Sequence, residues 1–188
     1  MKSFTSKSYN FTTIALGQKL VYTTFLFFTM CGWVTILAFY FYRTGFGFQH
    51  LIDYYCGNEE KLQYTKSFLE LWEVSHFHLF ITPVIFLILA HLFMLSRWKD
   101  KRKVNVFLCG LLGMLLDIGS PWLMVYGHPW FVVLKVIGRI LFHGSFFLFM
   151  WVPFHEMWLC KPKRRRRSLK KKAKKRLVKR RHYTKKKV

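Results

Sequence analysis

The stretch at residues 20–42, LVYTTFLFFTMCGWVTILAFYFY, decides what kind of chain this is. Its 23 residues carry no charge, and a helix needs about 20 apolar residues to cross roughly 30 Å of hydrocarbon. It is too long for the apolar part of a cleavable signal peptide, and no small-residue cleavage site follows, so it is expected to remain as a membrane span. Three further segments read the same way. Residues 74–96 form a second uncharged run of 23, and residues 104–126 a third, broken only by Asp117. Residues 130–158 carry Lys135 and Arg139 in their first half. Pro129 suits the first turn of a helix there, and Trp130 and Trp158 suit the two membrane interfaces. The expected fold class is all-α: a polytopic membrane four-helix bundle.

Charge then sets the orientation. The chain has 31 Lys and Arg against 8 Asp and Glu, a net charge of +23. Residues 161–188 hold 18 of those basic side chains and no acid, so the charge belongs to a tail and not to the body. The first 19 residues hold three Lys, and residues 97–103 hold five basic side chains against Asp100. Residues 43–73, by contrast, hold three basic side chains against five acids. Positive loops stay inside, which predicts a multi-pass membrane protein with both termini cytoplasmic. No organellar transit pattern is visible, so a prokaryotic cell inner membrane is expected. The domain reading is thus a cytoplasmic N-terminus (1–19), a transmembrane domain (20–158) with an extracytoplasmic loop (43–73), and a basic cytoplasmic tail (159–188). Asp53, Tyr54 and Tyr55 are expected to cap a short interfacial helix in that loop. Leu169, Ala173 and Leu177 recur every four residues, so the tail is either disordered or a basic surface helix. Its expected partners are anionic lipid headgroups, at about 1 kcal/mol per basic residue, in preference to nucleic acid.

Cys31, Cys56, Cys109 and Cys160 stand singly, without the C-x-x-C of a zinc or redox site. No G-x-S-x-G, phosphate-binding loop, G-x-G-x-x-G or H-E-x-x-H occurs, so soluble-enzyme chemistry has no sequence support. Interest therefore falls on the ionisable residues within the spans, because each is costly in a bilayer. His76 and His91 in the second span are 15 residues apart, as are His128 and His143 at and within the fourth. Fifteen residues advance a helix by about 22 Å and about 60° past whole turns, so each pair shares a broad face. Two such helices side by side place His76 level with His128 and His91 level with His143. Facing imidazoles at two levels meet the needs of two bis-histidine haems, with Gly32, Gly110, Gly113, Gly119 and Gly138 leaving room for the macrocycles.

With those four histidines on the second and fourth spans, the chain resembles the four-helix di-haem core of membrane b-type cytochromes. It departs from that family in a ligand separation one or two residues longer and in the placement of His128 directly before Pro129. The resemblance implies one or two haem b groups whose iron is ligated by His76, His91, His128 and His143. It also implies a subunit passing electrons between a quinone pool and a larger redox complex. Lys135 and Arg139 share the stripe of His128 and His143, and are expected to hold haem propionates or an anionic substrate. Residues 66–93 are also similar to a segment of small bacterial inner-membrane proteins without an assigned role.

Other readings of the same residues stand beside this one. Asp117 and Arg139 lie nine residues from the outer ends of their spans, and that equal depth predicts a structural ion pair. Glu73 and His78 are candidates for a non-haem metal site, and His155 for an interfacial position. A cofactor-free scaffold with a partner-binding tail is one alternative. A small anion or proton transporter lined by Lys135, Arg139 and Asp117 is another.

Overall fold

The computed structural model describes residues 11–160. The basic tail at 161–188 and the first ten residues lie outside them. Five α-helices follow in order: α1 (Leu16–Thr44), α2 (Phe48–Cys56), α3 (Phe68–Met94), α4 (Asp100–Tyr126) and α5 (Val132–Trp158). Short 3-10 turns occupy Phe11–Thr13, Glu59–Lys61 and Pro129–Phe131. α1, α3 and α4 and the segment ending in α5 are long and apolar enough to cross a membrane. The chain is an all-α polytopic membrane protein.

Small residues set the tightest contact. A Cβ on Gly113 would stand 2.8 Å from the Gly138 carbonyl oxygen, and one on Gly138 would stand 2.8 Å from the Asp117 nitrogen. α4 and α5 therefore meet backbone to backbone, as small residues allow in membranes, where no hydrophobic force separates protein from lipid tails. This corrects the macrocycle slot expected from the glycines. Gly113 and Gly138 close the space between helices, and Gly110 is filled by Phe86 and Ser145. Gly32 and Gly119 stand apart from this contact, since a Cβ on either would meet nothing within 4 Å.

Aromatic packing seats α3 on this pair. Phe86 lies 6.2 Å from Phe142 and 5.3 Å from Phe149, and Phe93 lies 5.1 Å from Phe149. With Leu89, Met114, Phe146 and Met150 they form the buried core. Helix α1 contributes little to it. Of its 29 residues only Leu26 and Thr44 are buried. Polar bonds attach it instead: Trp33 Nε1 donates to His143 Nδ1 (2.9 Å), Lys19 Nζ to the Met157 carbonyl (2.9 Å), and Trp158 Nε1 to Thr23 Oγ1 (2.8 Å). Near the Lys19 end, the buried Glu156 carboxylate accepts from the Arg97 backbone amide at 2.9 and 3.2 Å, fastening the α3–α4 turn to α5.

The α2 segment shows how local chemistry makes a lid. Gly47 and Gly57 flank it with φ of 117° and 85°, a region that favours glycine. At Gly57 a side chain is doubly excluded, because its Cβ would lie 2.7 Å from the Thr65 nitrogen. Leu51 and Tyr55, one turn apart, pack with Leu71, Met124 and Val132 into a second cluster. Asp53 does not cap this helix as expected. It lies within α2, where Lys61 donates to Oδ2 (2.6 Å) and Gln49 to Oδ1 (2.9 Å). A capping box at Ser67 and Glu70 then starts α3, reinforced by Lys66 at 2.7 Å.

The Lys61 ammonium, with Gln49, holds the Asp53 carboxyl down at about 2, below its usual 3.8. A carboxylate depressed in the folded state contributes stability above its unfolded value and loses it as pH falls through the folded one. The α2 lid is thus expected to hold from neutral pH to about 4 and to loosen between about 4 and 2. Limited proteolysis at residues 57–66 across that range checks this, and Asp53→Asn should remove the transition.

Candidate functional site

The buried charges gather where α4 and α5 touch. Lys135 and Arg139 stand one turn apart on α5 and share one acid on α4. Asp117 Oδ1 lies 3.0 Å from Lys135 Nζ, and Arg139 reaches the same oxygen with Nη2 at 3.1 Å and Nε at 3.3 Å. Lys135 also donates to the Asp117 backbone carbonyl. That carbonyl is available because Pro121, four residues later within α4, has no N–H to bond it. In hydrocarbon a carbonyl freed in this way must find another donor, and the buried ammonium supplies it.

Two tyrosines complete the shell. The Arg139 guanidinium carbon lies 3.1 Å from the ring centroid of Tyr40 on α1, and Lys135 Nζ lies 5.8 Å from that of Tyr55 on α2. A desolvated cation–π contact is worth about 2 kcal/mol or more. Arg139 Nη1 and the Tyr40 hydroxyl are nonetheless buried without a hydrogen-bond partner among the described residues. Such orphans are rare in folded proteins and ask for an explanation.

Both residues border a cavity of about 630 Å³ reaching from this cluster towards α2. Its walls come from all five helices, including Tyr40, Tyr55, Glu73 and His78. Four basic residues (Arg43, Lys66, Lys135, Arg139) face three acids (Glu70, Glu73, Asp117) across it, a surplus of one formal positive charge among these seven.

The histidines expected as haem ligands are distributed otherwise. The α3–α5 contacts at Phe86–Phe142, Phe86–Phe149, Phe93–Phe149 and Arg97–Glu156 join residues 56 to 63 apart in number. Level histidine pairs need a separation of 52, so the helices are offset by at least one turn, about 6 Å. The aromatic side chains set that register, and histidine spacing carries no information about it. His91 is exposed between the buried Ala90 and Leu92. His143 turns to Trp33 on α1. His76 lines a groove against α4, and His128 caps the 129–131 turn by accepting from the Trp130 amide. These positions do not fit paired axial ligation. Glu73 and His78 share the cavity, and among the described residues no three His, Cys, Asp or Glu side chains gather as a metal site. His155 is exposed, 6.2 Å from Trp151.

Sequence reasoning missed Tyr40, Tyr55 and Pro121. The proline was legible, four residues after the only charge of its span. The tyrosines were not, because nothing in a run of aromatics marks the one that meets a guanidinium.

Four apolar crossings around a buried cation pair define a polytopic helical membrane protein. Over residues 45–166 the chain matches a family described as a transmembrane helical domain, and it belongs to that family. No curated protein and no solved structure matches it.

Proposed function

We propose that the protein is an anion carrier of the membrane, with Arg139 and Lys135 as the headgroup ligands. The observation that carries this reading is Arg139 Nη1, buried and without a hydrogen-bond partner among the described residues, on a side chain that lines a cavity with one surplus positive charge. Removing charges from water is expensive, and a cation with an unmet donor gains most from a charged acceptor. Asp117 holds the two cations in place by engaging Nε and Nη2 of Arg139 while leaving Nη1 open. Tyr40 supports the guanidinium from its face and offers a hydroxyl to the same ligand. The core around Phe86 and Phe142 fills the bundle on one side of the site, and α2 borders the cavity on the other. In the expected topology the α2 side is extracytoplasmic, the protein lies in an inner membrane, and the tail rests on anionic lipid.

Hydrogen bonds to a charged group contribute about 1.5–3 kcal/mol. Arg139→Gln is therefore expected to weaken binding of a small carboxylate such as butyrate by about 10–100-fold. Tryptophan fluorescence of the protein in nanodiscs reads the binding, and anion-driven uptake into proteoliposomes reads the carriage. Butyrate, sulfonate and phosphate probes that all fail to bind the wild type would overturn the reading and favour a cofactor-free scaffold. A haem Soret band that disappears with His143→Ala would overturn it in favour of electron transfer.

A further inference from the structure

We infer that the carried anion is an amphiphile, one carboxylate on one linear apolar chain, and that its chain lies in a groove between α3 and α4. This rests on the anion-carrier reading and adds the class of its ligand. The groove is a second cavity of about 590 Å³, walled by Trp72, Leu79, Phe80, Leu115, Gly119 and Trp122. That size falls within the roughly 300–1,000 Å³ typical of small-molecule sites. It shares Ser75 and Ile118 with the charged cavity, so the two spaces adjoin through the same wall. At that wall Trp122 Nε1 donates to Ser75 Oγ (2.8 Å), a bond from α4 to α3. An extended ligand with its head at Arg139 has to displace this bond to reach the groove.

Charge selects the head. The cation cluster holds one more positive charge than negative, which a carboxylate cancels. A phosphate monoester carries about −1.5 to −2 at neutral pH and overshoots. Space selects the tail. The groove wall is apolar apart from Ser75, His76 and the Trp122 nitrogen, and Gly119 leaves it open, with nothing within 4 Å of a Cβ built there.

The test uses the full chain in nanodiscs of zwitterionic lipid, with butyrate, hexadecanoate and hexadecyl phosphate as probes and a dibrominated octadecanoate as quencher. In the wild type the brominated chain is expected to quench tryptophan, and hexadecanoate to bind more tightly than butyrate. Gly119→Leu should fill the groove without a clash. It should lower hexadecanoate affinity at least tenfold, abolish the quenching and leave butyrate unchanged. Arg139→Gln should weaken both carboxylates. Equal hexadecanoate affinity in the wild type and Gly119→Leu would overturn the groove and leave the head site standing. Loss of hexadecanoate in Gly119→Leu, with both carboxylates indifferent to Arg139→Gln, would overturn the carrier reading itself. Tighter binding of hexadecyl phosphate than of hexadecanoate would overturn the carboxylate assignment.

Discussion

Asp117→Asn is expected to destabilise the bundle by about 3–5 kcal/mol, the cost of removing one partner from a buried ion pair. The substitution keeps the shape of the side chain and removes its charge. Two cations then face each other one turn apart on α5, with Lys135 and Arg139 both buried or nearly so. The backbone carbonyl still receives Lys135, but the acceptor of Arg139 Nε and Nη2 becomes a neutral amide oxygen that offsets neither positive charge. Unfolding in a graded detergent titration measures the loss. Adding Lys135→Met should return part of it, because only one uncompensated charge then remains. A loss below about 1 kcal/mol for Asp117→Asn, the ceiling usual for exposed pairs, would show that the cluster is solvated and that the cavity charges are not desolvated.

Gly113→Leu and Gly138→Leu should each cost at least as much as Asp117→Asn. Overpacking alone costs about 1–3 kcal/mol where side chains can shift. Here the obstructions are the Gly138 carbonyl oxygen and the Asp117 amide nitrogen, at 2.8 Å in each direction, and backbone cannot rotate away. The helices must separate, which also pulls Asp117 from its cations. The expected result is failure to recover folded protein, or a midpoint far below wild type in the same titration. Gly32→Leu and Gly144→Leu provide the contrast, since both positions have open space at Cβ. Each should stay within about 0.5 kcal/mol of wild type. If all four leucines behaved alike, the backbone contact between α4 and α5 would not be the one described.

The two halves of the problem differ in how far the sequence reaches. The crossings were legible because a charge-free run of 23 residues has one physical use. The meeting of Asp117 and Arg139 was legible too, because depth in a membrane can be counted along a chain from its ends. Register was not. Equal spacing of His76–His91 and His128–His143 fixes distances within each helix and leaves the slide between helices free. Phe86, Phe93, Phe142 and Phe149 determine that slide, and one turn is enough to separate every expected pair. Glu156 escaped notice for another reason: an acid near a span end reads as interfacial, yet its oxygens are spent on a turn amide from another helix. The glycines misled in a third way. A small residue permits close approach, and only the structure says whether helix, ligand or lipid makes it.

Pro121 has a consequence beyond bending a helix. By withholding one backbone proton it turns the Asp117 peptide into a permanent cation acceptor, and a peptide oxygen has no proton to gain or lose in the physiological range. The grip on Lys135 therefore persists whatever the carboxylate beside it does. On the anion-carrier proposal, a site whose ligand, counter-ion and solvent all exchange keeps a fixed anchor there, made from an omission.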